Sequence, residues 1–184
     1  IVKKPQKIIL FNLDGILEVF LSLDVSRRKI HSAHDYIIRL PEDVTISPES
    51  QAIHGITASK CKRKGVPIKL ALVEFGECMQ QADIIVAHNI SFDKRVILAS
   101  CRREGVAQYF FNGPNVKIEY CTMKRTKDIP IMVVKDSNGK EYNKYPTLTE
   151  LHKYLFNGDS PNATHDALGD ILICLRCYIK HCHG

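Results

Sequence analysis

Two short segments of this 184-residue chain hold residue types at spacings that suit metal-assisted hydrolysis. In Ile84-Ile-Val-Ala-His-Asn-Ile-Ser-Phe-Asp93 a hydrophobic strand runs into a polar loop, and the acid falls where a helix begins. A carboxylate at a sheet edge with its backbone held on both sides suits a metal ligand. The same Asp93 equally suits a helix N-terminus, whose partial positive charge it complements. The second segment is Ala163-Thr-His165-Asp-Ala-Leu-Gly-Asp170. His165 and Asp170 are five positions apart, about 140° on a helical wheel, so they share no face if both are helical. With His165 in the entering loop and Asp170 one turn into the helix, they converge. A carboxylate for metal beside a histidine for proton transfer is the pairing that hydrolysis through a metal ion requires. Taken alone, this second segment also reads as a surface histidine near a helix start, with Asp166 as its N-cap.

Positioning these residues takes a sheet and helices. Lys7 to Phe11, Leu17 to Val25 and Ala33 to Arg39 read as three strands of an antiparallel meander, with Ser26 to Lys29 as a basic turn. From Ser47-Pro48 the texture changes to helix–loop signals, and Lys69 to Gln81 carries a helical period. Asp83 to Ala87 reads as a buried strand. Phe92 to Glu104 reads as a helix with Ser91 as N-cap and Gly105 as its stop. Val116 to Cys121 follows as a strand, and Ile129 to Lys144 as irregular chain with a hairpin turn at Ser137-Asn-Gly139. Thr147 to Phe156 and Asp166 to Lys180 read as the last helices. Strands first, then strands alternating with helices, imply an α/β fold with a mixed sheet.

The bulk numbers agree with one domain over residues 1–184, large enough to bury a core. The net charge of +6 suits a polyanionic partner. No apolar run approaches the roughly 20 residues of a membrane span. The chain begins at Ile1 rather than Met, which reads as a fragment or a processed form. Seven scattered cysteines do not make a disulfide framework, so an intracellular setting, cytoplasm or nucleus, is expected. Cys174 and Cys177, with His181, Cys182 and His183 beyond, have the residue types of a zinc site. On a helix, however, such cysteines serve as small core residues.

Together the motifs resemble the DnaQ-like (DEDDh) 3′→5′ exonuclease family. Ala87-His-Asn-Ile-Ser-Phe-Asp93 and His165-Asp-Ala-Leu-Gly-Asp170 resemble its second and third motifs. Ile53-His-Gly-Ile-Thr57, Asp35-Tyr-Ile-Ile-Arg39, Cys121-Thr-Met123 and Pro146 to Phe156 resemble further family segments in the same order, over roughly residues 5–180. The resemblance implies an RNase H-like mixed sheet with helices on both faces. It also implies carboxylates holding two divalent ions, Mg²⁺ or Mn²⁺, and release of nucleoside 5′-monophosphates from a single-stranded DNA or RNA 3′ end. A polymerase is an implied further partner. By the same resemblance His165 is the general base, and Asp14, Asp93 and Asp170 are metal ligands and catalytic residues. Asn89, His54 and Ile56 would lie against the terminal nucleotide, although Asn89 also suits a loop hydrogen bond and Ile56 a core position. The basic run Lys60 to Lys64 and the pair Lys124-Arg125 would track phosphates or form solvated faces.

The first motif departs from the pattern. Where the family has Asp-x-Glu, this chain reads Phe11-Asn-Leu-Asp-Gly15, with Asn12 in place of the first acid and Asp14 in place of Glu. Asn12 keeps the shape and one oxygen, adjoining metal and substrate, but removes a negative charge. A catalytically inactive exonuclease-like module that binds nucleic acid or a polymerase is therefore the alternative expectation. The same residues resemble the nucleophile motif of haloacid-dehalogenase-like phosphatases, but an asparagine cannot attack phosphorus and that family's later motifs are missing.

Overall fold

The computed structural model describes residues 6–13, 17–112, 115–131, 133–160 and 167–184, apart from the side chains of residues 13, 17 and 18. Asp14, His165 and Asp166 thus lie outside the described residues.

Strands β1 (Lys7–Leu13), β2 (Leu17–Asp24) and β3 (Lys29–Ile37) form the expected antiparallel meander. β4 (Ile84–Ala87) lies parallel to β1, and β5 (Ile118–Cys121) lies parallel to β4. The order β3-β2-β1-β4-β5 makes a mixed five-stranded sheet. Its third strand starts four residues earlier than the apolar pattern predicts. The reason is that Lys29 to Ala33 are mostly exposed and pair through backbone alone at the sheet edge.

Alternation along β1 divides the core in two. Ile9 and Phe11 face helices α3 (Ile68–Gln81) and α4 (Ile90–Glu104), together with Phe20, Ile85 and Phe75. Phe75 sits edge-on to Phe11 and Phe20, both at 5.4 Å between ring centroids. Ile8 and Leu10 face the other way, with Leu21 and Val86, onto the last helix, Ala167–His183. Helices therefore cover both faces of the sheet.

Between β3 and α3 the helix–loop signals resolve into α1 (Pro48–His54) and α2 (Ala58–Lys64). Ser47 caps the first and Thr57 the second, each hydroxyl accepting a backbone N–H at 3.1 Å. After β5 come a one-turn helix α5 (Thr122–Arg125) and the hairpin β6 (Val133–Lys135) and β7 (Glu141–Asn143). The hairpin reverses at the predicted place: Asp136 Oδ1 accepts from Asn138 and Lys140, and Gly139 takes φ 78°. Helix α6 (Leu148–Leu155) opens with a reciprocal cap between Thr147 and Glu150, and α7 is the Ala167–His183 helix. Thr147→Ala is expected to destabilise the protein by about 1 kcal/mol in urea unfolding. An unchanged midpoint would mean that packing alone holds this end of α6.

Candidate active site

The carboxyl ends of the neighbouring parallel strands β1 and β4 point the same way, and a cavity of about 170 Å³ opens there. Asn12 reaches it from β1, Asp93 from the first turn of α4 and Asp170 from the first turn of α7. Asp93 is 4% exposed, while Asn12 and Asp170 are half-buried. Residues 158 positions apart in the chain thus meet at one small site. A larger cleft of about 1030 Å³, lined by Leu23, Val25 and Leu175, lies toward the other end of β1. Among the described residues no carboxylate lines it, which makes the smaller cavity the candidate for chemistry.

Local backbone chemistry sets Asp93 in place. The helix starts at Ile90, and its N-cap is Asn89 rather than the expected Ser91. Asn89 takes φ 64°, a left-handed conformation that asparagine tolerates better than most residues. Its side chain makes no capping hydrogen bond and stays exposed at the cavity. Ser91 instead accepts a hydrogen bond from Lys124 Nζ at 2.8 Å.

Among the cavity-lining residues that carried no site role in the sequence are His88, Phe92 and Cys174. His88 donates from Nε2 to the Pro146 carbonyl at 3.1 Å, and its Nδ1 pairs with the Thr122 hydroxyl at 2.9 Å. A carbonyl can only accept, so the imidazole proton belongs on Nε2 and Nδ1 is the acceptor. Burial lowers the His88 pKa from 6.5 to about 4, against a smaller upward pull from the Pro146 carbonyl. The ring is therefore neutral at pH 7. Thr122 also contacts Cys174 Sγ at 3.8 Å, which links β4, α5, α6 and α7 around the cavity. Burial pushes the Cys174 thiol well up, so it remains protonated. The only sequence signal for His88 was its place beside Asn89.

His54 and Ile56 do not line this cavity. Gly55 ends α1 with φ 66°, and His54 Nδ1 accepts from the Ile56 N–H at 2.9 Å, closing the turn. Ile56 is 4% exposed and packs in the cluster that includes Ala167, Ile171 and Cys174. His54 Nε2 is buried with no hydrogen-bond partner among the described residues. Cys174 and Cys177 are both buried.

The site offers hard donors. The thiol of Cys174 is protonated and both His88 nitrogens are engaged, which leaves the oxygens of Asn12, Asp93 and Asp170 as the donor set. That set fits a divalent cation of the Mg²⁺ or Mn²⁺ type. Among the described residues it holds two carboxylates, with no cluster of three metal-ligating side chains.

A mixed sheet of this order, with acids gathered at the ends of adjacent parallel strands, defines an α/β fold of the RNase H-like class. The RNase T family profile, described as an exonuclease, matches residues 16–178. The chain belongs to this family and is a DnaQ-like exonuclease-type protein of the RNase H-like superfamily. Members of the family use divalent metal ions. The match begins after Asn12 and Asp14. No curated protein sequence matches the chain significantly.

Solved structures share the fold at low identity. E. coli exonuclease I in complex with a dA16 oligonucleotide superposes with a TM-score of 0.72 at 15% identity, over 97% of this chain and 41% of that one. The zinc-bound E. coli exonuclease I–ssDNA complex gives the same values. A product-bound exonuclease I gives 0.66 at 12% identity, over 96% and 44%. The chain thus spans about four tenths of the length of these proteins.

Proposed function

We propose that this chain is a metal-dependent 3′→5′ exonuclease domain of the DEDDh type that releases nucleoside 5′-monophosphates from single-stranded nucleic acid. The observation that carries the reading is the meeting of Asn12, Asp93 and Asp170 in one cavity at the ends of β1 and β4. Family membership supports it, as do the oligonucleotides held by the E. coli exonuclease I structures. Asp93 and Asp170, with Asn12 and Asp14, would hold the divalent ions, which supply positive charge to the phosphate and acidify water. His165 would take the proton from the attacking water, a task that suits an imidazole, whose intrinsic pKa lies near neutrality. Asn89, exposed at the cavity mouth, would hydrogen-bond the terminal nucleotide, and the turn at His54 and Ile56 would brace the start of α7.

One observation favours a second reading. Asn12 leaves the cavity short of one negative charge, as in a module that binds a 3′ end without cutting. Incubation with 5′-labelled single-stranded DNA or RNA in Mg²⁺, Mn²⁺ or EDTA separates the two. The exonuclease gives a metal-dependent ladder that shortens from the 3′ end and disappears in Asp93→Asn. Retention of the labelled strand with no ladder in any metal rejects the enzyme in favour of the binding module.

A further inference from the structure

A basic segment after β5 is hydrogen-bonded to residues at the cavity. Lys124, Arg125 and Lys127 are exposed, and among the described residues none has a carboxylate within ion-pair distance. Thr126 between them is buried, with its hydroxyl donating to the Thr122 carbonyl at 2.7 Å, which turns its neighbours outward. This segment is fixed to the cavity at two points. Lys124 Nζ bonds Ser91 on the turn that carries Asp93, and Thr122 bonds His88.

Beside Lys127 stands Tyr145, 42% exposed. Its neighbour Pro146 is buried and accepts the His88 hydrogen bond, so the aromatic ring is held beside the cavity rather than on a free loop. Lys127 Nζ lies 5.3 Å from the centre of the Tyr145 ring. Arg125 also lies over the Tyr120 ring, 5.7 Å from its centre. Exposed cations without a carboxylate partner next to an exposed ring suit tracking a single-stranded backbone while a base stacks. Lys94, next to Asp93 in the chain, is engaged with Glu119 and is not part of this group.

We propose that Lys124, Arg125 and Lys127 with Tyr145 form the track along which the single strand approaches the cavity, the cations holding phosphates and Tyr145 stacking one base. This rests on the exonuclease reading, but it is tested by binding rather than cleavage. Fluorescence anisotropy of a 5′-fluorescein oligo(dT) is followed in EDTA across a salt titration. Arg125→Ala and Lys127→Ala should each lower the slope of log affinity against log salt by about 0.7. Tyr145→Ala should weaken binding roughly 10-fold with the slope unchanged, and Tyr145→Phe should restore parental affinity. Lys69→Ala, on the exposed side of α3, serves as the control for general charge.

Slopes and affinities equal to the parent's in all three alanine variants overturn the track while leaving the exonuclease reading standing. A parent that fails to bind the oligonucleotide at all overturns both. Loss of slope in the variants of a parent that binds but does not cut supports the track and sinks the enzyme reading alone.

Discussion

Asn12→Asp is expected to raise Mn²⁺ affinity by at least about 10–100-fold, the range that substitutions around metal sites commonly span. Asn12 shares its cavity with Asp93 and Asp170, so the change adds a third carboxylate to two already there. Without metal, the new charge is repelled and the variant should be less stable than the parent. With metal, the order should invert, because the cation binds the folded state alone and stabilises it by mass action. Thermal melts in EDTA and in Mn²⁺ therefore move in opposite directions. Cleavage of a labelled single strand should rise along with affinity. A melt that shifts the same way in both buffers would show that position 12 does not face the cation.

The second large effect concerns acid. His88 is neutral in the fold with its pKa near 4, and it regains an ordinary value near 6.5 when unfolded. Between these values the unfolded chain binds more protons, so stability rises with pH. This contribution is complete above pH 6.5 and is lost progressively as pH falls toward 4. The shift of about 2.5 units corresponds to roughly 3 kcal/mol. Urea unfolding at a series of pH values, in the parent and in His88→Gln, isolates the contribution from carboxylates that titrate below it. The parent should lose stability more steeply between pH 6.5 and 4, although it starts from a higher value at neutral pH. Parallel profiles would remove the buried imidazole as the cause.

The strands and long helices were legible because apolar runs and helical periods record burial. Ile84 to Ala87 is apolar because β4 is covered on both faces, and Leu10, Leu21 and Phe20 alternate because β1 and β2 divide two cores. Asp93 and Asp170 were legible as acids at helix starts, and the structure brings them to one cavity. The helix boundary at Asn89 was not, since Ser91 is the better N-cap by type and only the left-handed backbone at 89 decides otherwise. The extension of β3 to Lys29 left no hydrophobic trace because an edge strand pairs through backbone. The link from His88 through Thr122 to Cys174 joins residues up to 86 positions apart, and no local pattern encodes it.

The cavity also has a consequence for the order of synthesis. Asn12 sits on the first strand, and Asp170 and Cys174 sit on the last helix, which packs against β1, β2 and β4. Every earlier element can be made before any of the cavity closes, and the loop joining its two ends is nearly the whole domain. A growing chain therefore has no assembled cavity until α7 has left the ribosome and docked. Termination between β5 and Asp170 leaves Asn12 and Asp93 without the opposing carboxylate of α7.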